Sequence, residues 1–383
     1  MGIYLDNAST SVPKKEVLEV MKPYFDSCWF NPSSVYLDKN GLRGDIERVR
    51  KITLDYLNAG EEDTLIFTSG ATESNNIAIK GIVEKEENMV FLTTKIEHSS
   101  IIEIAKQLNK TVFWIDVNKD GSLDIDYLED VCKTLRSIGY KFLFSIHMVN
   151  NEIGTVQNIR KISDIVHRYG GILHADATQA LGKIPLNVTK EGIDLLSASG
   201  HKIGTPKGIG ILYIKQGIEC KPLICGKQEF GLRGGTENVP YIVAFGKAIE
   251  LASKNDYYNS MVVAEKRSFT IRLLKNMIPN CKINCEHSLY PTDIISVTYP
   301  QDVLNENLVI CLTLLDIYVA TGSACNSYDN EKSHVLKNIG LSDDEIDRTI
   351  RISIGEHLSY TDITNGIQGI KGMLDSLEER ENL

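Results

Sequence analysis

A mostly parallel α/β protein with a smaller α+β part is the fold class that this 383-residue chain predicts. Three observations point to it. Short apolar runs alternate with amphipathic helical patterns through the first two-thirds, the signature of βαβ units. Several of those runs read as buried strands ending in glycine-rich turns. After about residue 260 the pattern changes to fewer, more widely spaced strands. At roughly 150 residues per domain, the length suits two or three domains, or one large domain with a smaller partner. Hydrophobic residues make up 42% of the chain, enough for a sizeable core.

The elements follow in order. "TLIFTSG" (64–70) is a strand and turn, and "ATESNNIAIKGIVEKEE" after it is a helix. "MVFLTTK" (89–95) is a strand, then "SSIIEIAKQLNK" a helix. "YKFLFSIHMV" (140–149) is a strand. In "IRKISDIVHRYGG" (159–171), Ile159, Ile162, Ile165 and Val166 stand at helical spacing before a glycine stop. "ILHADA" (172–177), "IDLLSAS" (193–199) and "GIGILYIK" (208–215) are strands. A long helix over about 244–277 leads to "DIISVTYP" and "LLDIYVATG", with helices between and after.

Composition excludes several classes. Lys and Arg number 41 against 51 Asp and Glu, a net charge of −10 that argues against a nucleic-acid surface. No apolar run approaches the roughly 18 residues of a membrane helix, so no membrane partner is expected. "MGIYLDNAST" lacks a basic region followed by an apolar run, against a secretory signal. Asp6 stands where a myristoylated start needs Ser or Thr. A cytoplasmic location with reduced thiols is the expectation for the eight scattered cysteines. Cys281, Cys285 and His287 are close, but no second ligand pair accompanies them, so no bound metal is expected.

The chemistry begins at "SASGHKIGTPKGIG" (197–210). Lys202 follows a buried strand, and strand C-terminal ends form the ligand crevice of an open α/β sheet. A lysine desolvated there becomes nucleophilic toward a carbonyl, which points to pyridoxal phosphate (PLP) as cofactor. That cofactor needs a carboxylate at its ring nitrogen, and Asp176 ends another buried-type strand. Gln179 is placed to donate to the phenolic oxygen. A phosphate needs amides at a helix start, and Gly70, Ala71 and Thr72 form a strand–turn–helix junction. Ser199 and His201 complete the cup, and His98 offers a flat ring for stacking.

The chain resembles the cysteine desulfurases of the NifS/IscS group, PLP enzymes of the aspartate-aminotransferase fold in the class-V aminotransferase family. The matching stretches are "YLDNAST" (4–10), "GATESNN" (70–76), "EHSS" (97–100), "NNEIGTVQ" (150–157), "HADATQALGK" (174–183), "SASGHKIGTPKGIG", "GLRGGTEN" (231–238), "GSAC" (322–325) and "RISIG" (351–355), in family order. The resemblance implies PLP fold type I with a seven-stranded large-domain sheet. It implies a large domain over 15–258 and a small domain of 1–14 with 259–383. It implies that Lys202 carries the cofactor and later moves the α-proton. Asp176 then pairs with the ring nitrogen, Gln179 meets the phenolic oxygen, His98 stacks and transfers protons, and Ala71, Thr72, Ser199 and His201 hold the phosphate. Thr236 reaches the phosphate of the other subunit of a homodimer. Arg351 and Asn151 bind the carboxylate of L-cysteine. Cys325, in the polar loop "TGSACNSYDN", accepts the sulfur as a persulfide and passes it to an acceptor protein such as an iron–sulfur scaffold or a thiolation relay. With no resident metal expected, Cys325 at most ligates a scaffold's cluster transiently.

Departures from the family pattern are Thr205, Cys225, Lys227, Phe230 and Gly235. The alternative reading is a selenocysteine lyase, or another PLP-dependent cysteine lyase that releases the chalcogen directly. An aminotransferase has no need of Cys325. A scaffold that has lost catalysis has no need of Lys202, Asp176, His98, Cys325 and Arg351 together.

Overall fold

The computed structural model describes residues 2–35, 41–322 and 332–381. In chain order the first elements are β1 (Ile3–Tyr4), α1 (Lys15–Met21), α2 (Pro23–Asp26), α3 (Leu42–Tyr56), β2 (Thr64–Thr68), α4 (Ala71–Val83), β3 (Met89–Thr94), α5 (Ser99–Gln107) and β4 (Val112–Ile115). There follow α6 (Ile125–Ser137), β5 (Lys141–His147), α7 (Ile159–Arg168), β6 (Ile172–Asp176), α8 (Val188–Glu191), β7 (Leu195–Ser199), β8 (Gly210–Ile214) and α9 (Val239–Met277). The remainder comprises β9 (Lys282–Asn284), β10 (Ile294–Thr298), α10 (Asn305–Thr313), β11 (Ile317–Tyr318), β12 (Ala320–Thr321), α11 (His334–Asn338), α12 (Asp343–Asp347), β13 (Thr349–Ser353) and α13 (Tyr360–Glu381).

Seven strands form one sheet in the order β2-β8-β7-β6-β5-β3-β4. Pairing is parallel from β7 to β4, and β8 runs antiparallel to both of its neighbours. The sheet is therefore mostly parallel, and β2, β3, β5, β6 and β7 all end at the same edge. Side-chain alternation divides its apolar residues between two layers. Leu65, Phe67, Phe142, Phe144, Leu196 and Ala198 join one core with Val49, Ala244 and Phe245 of α3 and α9. Ile66, Leu143, Leu195 and Leu212 join another with Ile77, Ile82 and Ile101 of α4 and α5. Burial on both faces is why these strands read as continuous apolar runs.

A four-stranded antiparallel sheet, β12-β13-β10-β9, forms beyond α9. Ile295, Val297, Ile350 and Ile352 share a core with Leu5, Leu274, Ile363 and Ile367. The alternate positions of β13, including Arg351, consequently face away from that core. The extreme N-terminus belongs to this layer, since β1 pairs with β11 and Asp6 bridges Ser353.

Element boundaries differ from the sequence reading in places. Helix α9 starts at Val239, not near 244, with Pro240 in its first turn, where a missing N–H costs nothing. Helix α4 stops at Val83, short of Glu87, because few residues remain to turn back into β3. The reading did not include β4, a four-residue edge strand that is only partly buried. It also did not include α6, although Asp124 caps it through Tyr127 N and Leu128, Cys132 and Leu135 form its buried stripe.

One buried ion pair ties the start of the site to the large-domain core. The Arg50 guanidinium of α3 meets both oxygens of Glu229, at 2.9 and 3.3 Å, and donates also to Leu65 O. Glu229 accepts from Phe67 N at 2.8 Å, so the carboxylate holds β2 just before its terminal turn. Both side chains are buried, and Arg50 lies over the rings of Phe67 and Phe230 at 5.1 and 4.7 Å. Glu229 and Phe230 have left-handed backbone (φ 48° and 58°), a conformation non-glycine residues adopt only when their surroundings enforce it. Arg50→Met strands the Glu229 charge and is expected to lower the unfolding free energy by about 3–5 kcal/mol. Adding Glu229→Gln should recover most of that loss in denaturant titrations. A single variant as stable as the wild type contradicts this account of the pair.

Candidate active site

The sheet edge where β2, β3, β5, β6 and β7 end carries a cavity of about 480 Å³. Each wall comes from the first residues after a strand, the position where parallel sheets open for ligands. Strand β2 supplies Ser69, Gly70, Ala71 and Thr72, and β3 is followed by His98. Asn151 follows β5, Asp176 ends β6 with Thr178 and Gln179 just beyond, and β7 ends in Ser199, followed by His201 and Lys202. Arg351 enters from β13 of the small sheet.

Asp176 is buried and accepts twice. Its Oδ2 takes a hydrogen bond from Asn75 Nδ2 at 2.9 Å, and its Oδ1 takes one from Thr178 N at 2.9 Å. Asn75 sits on the inner face of α4, so this helix supports the carboxylate as well as ending at the cavity. Lys202 leaves a short 3-10 turn, Gly200–Lys202, and its Nζ donates to the carbonyls of Ala8 and Ser9, each at 2.8 Å. Gln179 Nε2 donates to the same Ala8 carbonyl at 2.9 Å. The N-terminal segment is thus the floor on which both polar groups rest.

Neighbouring histidines are held neutral. His98 caps α5, its Nδ1 accepting from Ser100 N at 3.1 Å, which assigns the proton of the neutral ring to Nε2. Burial, opposed by Asp176, lowers its pKa. Burial, with Lys202 and Lys207 adding repulsion, takes His201 down to about 3, and its Nδ1 lies 3.1 Å from Thr10 Oγ1. Behind Asp176, His174 is enclosed between Ser145 Oγ and Ser197 Oγ, and burial lowers it to about 4.

Arg351 is buried and spends three of its five N–H donors on the protein. One goes to Asn151 O at 2.9 Å, one to Asp6 Oδ1 at 2.7 Å and one to Ser9 Oγ at 2.6 Å. Its Nε has no hydrogen-bond partner among the described residues. Next to Asn151, the buried Glu152 carboxyl accepts from Ser333 Oγ at 2.5 Å, and burial pushes it up to about 7.

Thr236 does not line this cavity. It lines a neighbouring cleft with Arg233 and Glu237, which shares Ser69 and Gly208 with the main cavity. Cys325 lies outside the described residues. Cys225 and Lys227 lie on an exposed loop, and among the described residues Cys225 is in no disulfide. Asn75, Thr178, Ala8, Ser9 and Asp6 were not singled out by the sequence reading, though each falls inside a stretch it quoted. Their signal was proximity to motif residues, which does not say which way a side chain turns.

The donor set can be compared with the demands of pyridoxal phosphate. A carboxylate, an amine and a helix start lie around one cavity of suitable size. The N-terminus of α4 has no side-chain cap at Gly70, and the hydroxyls of Thr72 and Ser199 are beside it. Thr178 Oγ1 is shielded from solvent and has no hydrogen-bond partner among the described residues, so its bonding capacity is open to a bound group. Lys202, Lys207 and Arg351 against Asp176 and Glu73 give a cationic balance suited to phosphate and carboxylate. The residues fit the group.

Comparison with known proteins agrees with this geometry. The profile of the aminotransferase class-V family matches residues 3–365. A cysteine desulfurase IscS from Methanosarcina thermophila is 36% identical, covering 100% of this chain and 94% of its own. A NifS-like protein from Rickettsia africae superposes with a TM-score of 0.88 at 30% identity, covering 98% of this chain and all of its own. A structure described as SspA in complex with cysteine gives 0.80 at 34% identity, over 93% of this chain and 99% of its own. Fold, site and similarity over nearly the whole length together place the chain in the class-V aminotransferase family, within its NifS/IscS group.

Proposed function

We propose that this protein is a cysteine desulfurase, using PLP to take sulfur from L-cysteine and leave L-alanine and a persulfide on Cys325. The observation that carries the reading is the convergence of Lys202, Asp176 and Arg351 on one cavity. When bound, PLP supplies an electron sink that stabilises negative charge at the substrate α-carbon and labilises the bond from the β-carbon to sulfur.

The protein's own groups do the rest. Ala71, Thr72, Ser199 and His201 would hold the phosphate, Asp176 would keep the proton on the ring nitrogen, and Gln179 would donate to the phenolic oxygen. His98, a neutral imidazole, would pack against the ring. Lys202 Nζ would hold the cofactor and move the substrate α-proton. Arg351 takes the substrate carboxylate with its remaining donors, and Asn151, whose carbonyl it already holds, orients it. The Cys325 thiolate attacks the substrate sulfur. A sulfur–sulfur bond forms as the carbon–sulfur bond breaks, and the carbon takes a proton to become alanine.

The same reading extends to assembly. Thr236, outside its own cavity, serves the phosphate of a second subunit in a homodimer, and the shared rim of the two clefts supports that assignment. The large domain spans 15–258 and the small domain 1–14 with 259–383, a division supported by the separate apolar core that Leu5 shares with residues of the C-terminal part. The persulfide passes to an acceptor protein in iron–sulfur assembly or thiolation. The location is cytoplasmic; among the described residues no helix is long and apolar enough to cross a membrane.

Incubation of the PLP-loaded protein with L-cysteine should yield alanine, and mass spectrometry should map one added sulfur to Cys325. Cys325→Ala should lose the persulfide, and an unchanged persulfide yield in that variant, or no alanine from the wild type, overturns the reading. Arg351→Lys should raise KM for cysteine by about ten- to a hundredfold, the loss of a hydrogen bond to a charged group. An unchanged KM removes Arg351 from the substrate site.

A further inference from the structure

Behind the main cavity lies a second one, about 430 Å³, which shares Lys202 with it. Its wall carries Lys183, Asp293 and Asn7, polar residues that the reaction described above does not use. Lys183 Nζ donates to Gln179 Oε1 at 2.8 Å and pairs with Asp293 Oδ2 at 3.0 Å. Asn7 Nδ2 donates to the same Asp293 oxygen at 3.1 Å. Asp293 and Gln179 are buried, and the Lys183 side chain is only 13% exposed. The cluster joins the β6–α8 connection, the start of β10 and the N-terminal segment, three distant parts of the sequence.

The donor inventory of these groups has one consequence. A lysine ammonium only donates, so the face of the Gln179 amide turned to Lys183 must be its oxygen. A backbone carbonyl only accepts, so the face turned to Ala8 must be the NH2 group. Both neighbours therefore select one amide orientation, and the flipped form would set N–H against N–H and oxygen against oxygen. With one Nε2 hydrogen on Ala8, the other is left for the cavity that Gln179 lines. Lys183 itself is absent from that cavity's wall; it reaches the cavity by contact through Gln179, and its charge also disfavours the His201 imidazolium.

We propose that Lys183 is a positioning residue that locks Gln179 as a hydrogen-bond donor toward the cofactor's phenolic oxygen, with Asp293 and Asn7 fixing Lys183. The inference rests on the assignment of Gln179 to that oxygen. A donor there stabilises the oxygen's negative charge and weakens its hold on the proton it shares with the lysine-linked nitrogen. Without Lys183, the Ala8 carbonyl alone selects the amide orientation, and the donor toward that oxygen is held less firmly.

The test is a pH titration of the visible absorption band of the PLP-loaded protein. Lys183→Met alone would leave Asp293 buried and unpaired, so it is combined with Asp293→Asn. Asp293→Asn alone keeps Lys183 on Gln179 and is the reference. The double variant should titrate higher than this reference, by up to about one pH unit, the scale of one hydrogen bond. Gln179→Leu should move the band in the same direction, and the shift it adds to the double variant should be smaller than the shift it causes alone. A double variant that titrates with its reference while Gln179→Leu shifts overturns the role of Lys183. A Gln179→Leu protein that titrates like wild type overturns the assignment of Gln179 itself, and the inference falls with it. Additive shifts show that Lys183 acts by another route and contradict the proposal.

Discussion

A carboxylate buried at the end of a central strand is the constraint around which the site is built. Asp176 terminates β6, where a charge is costly unless it is hydrogen-bonded or paired. The structure meets that demand from two sides. Asn75 reaches it from α4 and Thr178 N from the turn below. Because α4 also opens onto the cavity at Ala71 and Thr72, one helix supports the carboxylate and offers its positive end to an anion. The distance between those two features is therefore set by a rigid helix and not by loops.

The N-terminal segment has a similar double use. Ala8 O receives both Lys202 Nζ and Gln179 Nε2, while Asp6 and Ser9 hold Arg351. Few side chains in the cavity are positioned by their own element alone. The small antiparallel sheet delivers Arg351 on the face opposite its apolar core, and the first ten residues dock it against the large sheet. Membership of the class-V aminotransferase family and the cavity's residues agree on what such a frame serves.

Much of this was legible from the sequence where chemistry and local pattern coincide. The ends of β2, β3, β6 and β7 could be read from apolar runs stopping at Ser69, His98, Asp176 and Lys202, and the sheet edge brings those positions together. Pairings across long separations carry no local signal. Asn7 and Asp293 are 286 residues apart, and Lys183 and Asp293 are 110 apart. Asp6 to Arg351 spans 345 residues. The orientation of the Gln179 amide was invisible for the same reason, since it depends on which donor the fold brings to its oxygen.

The claim on which the whole account depends is that this cavity holds PLP through Lys202. Borohydride reduction of the PLP-loaded protein, followed by peptide mapping, tests it most directly. The account predicts a reduced pyridoxyl group on the peptide containing Lys202, and no such label after Lys202→Ala. A label on another lysine, or a protein that takes up no PLP, would contradict it.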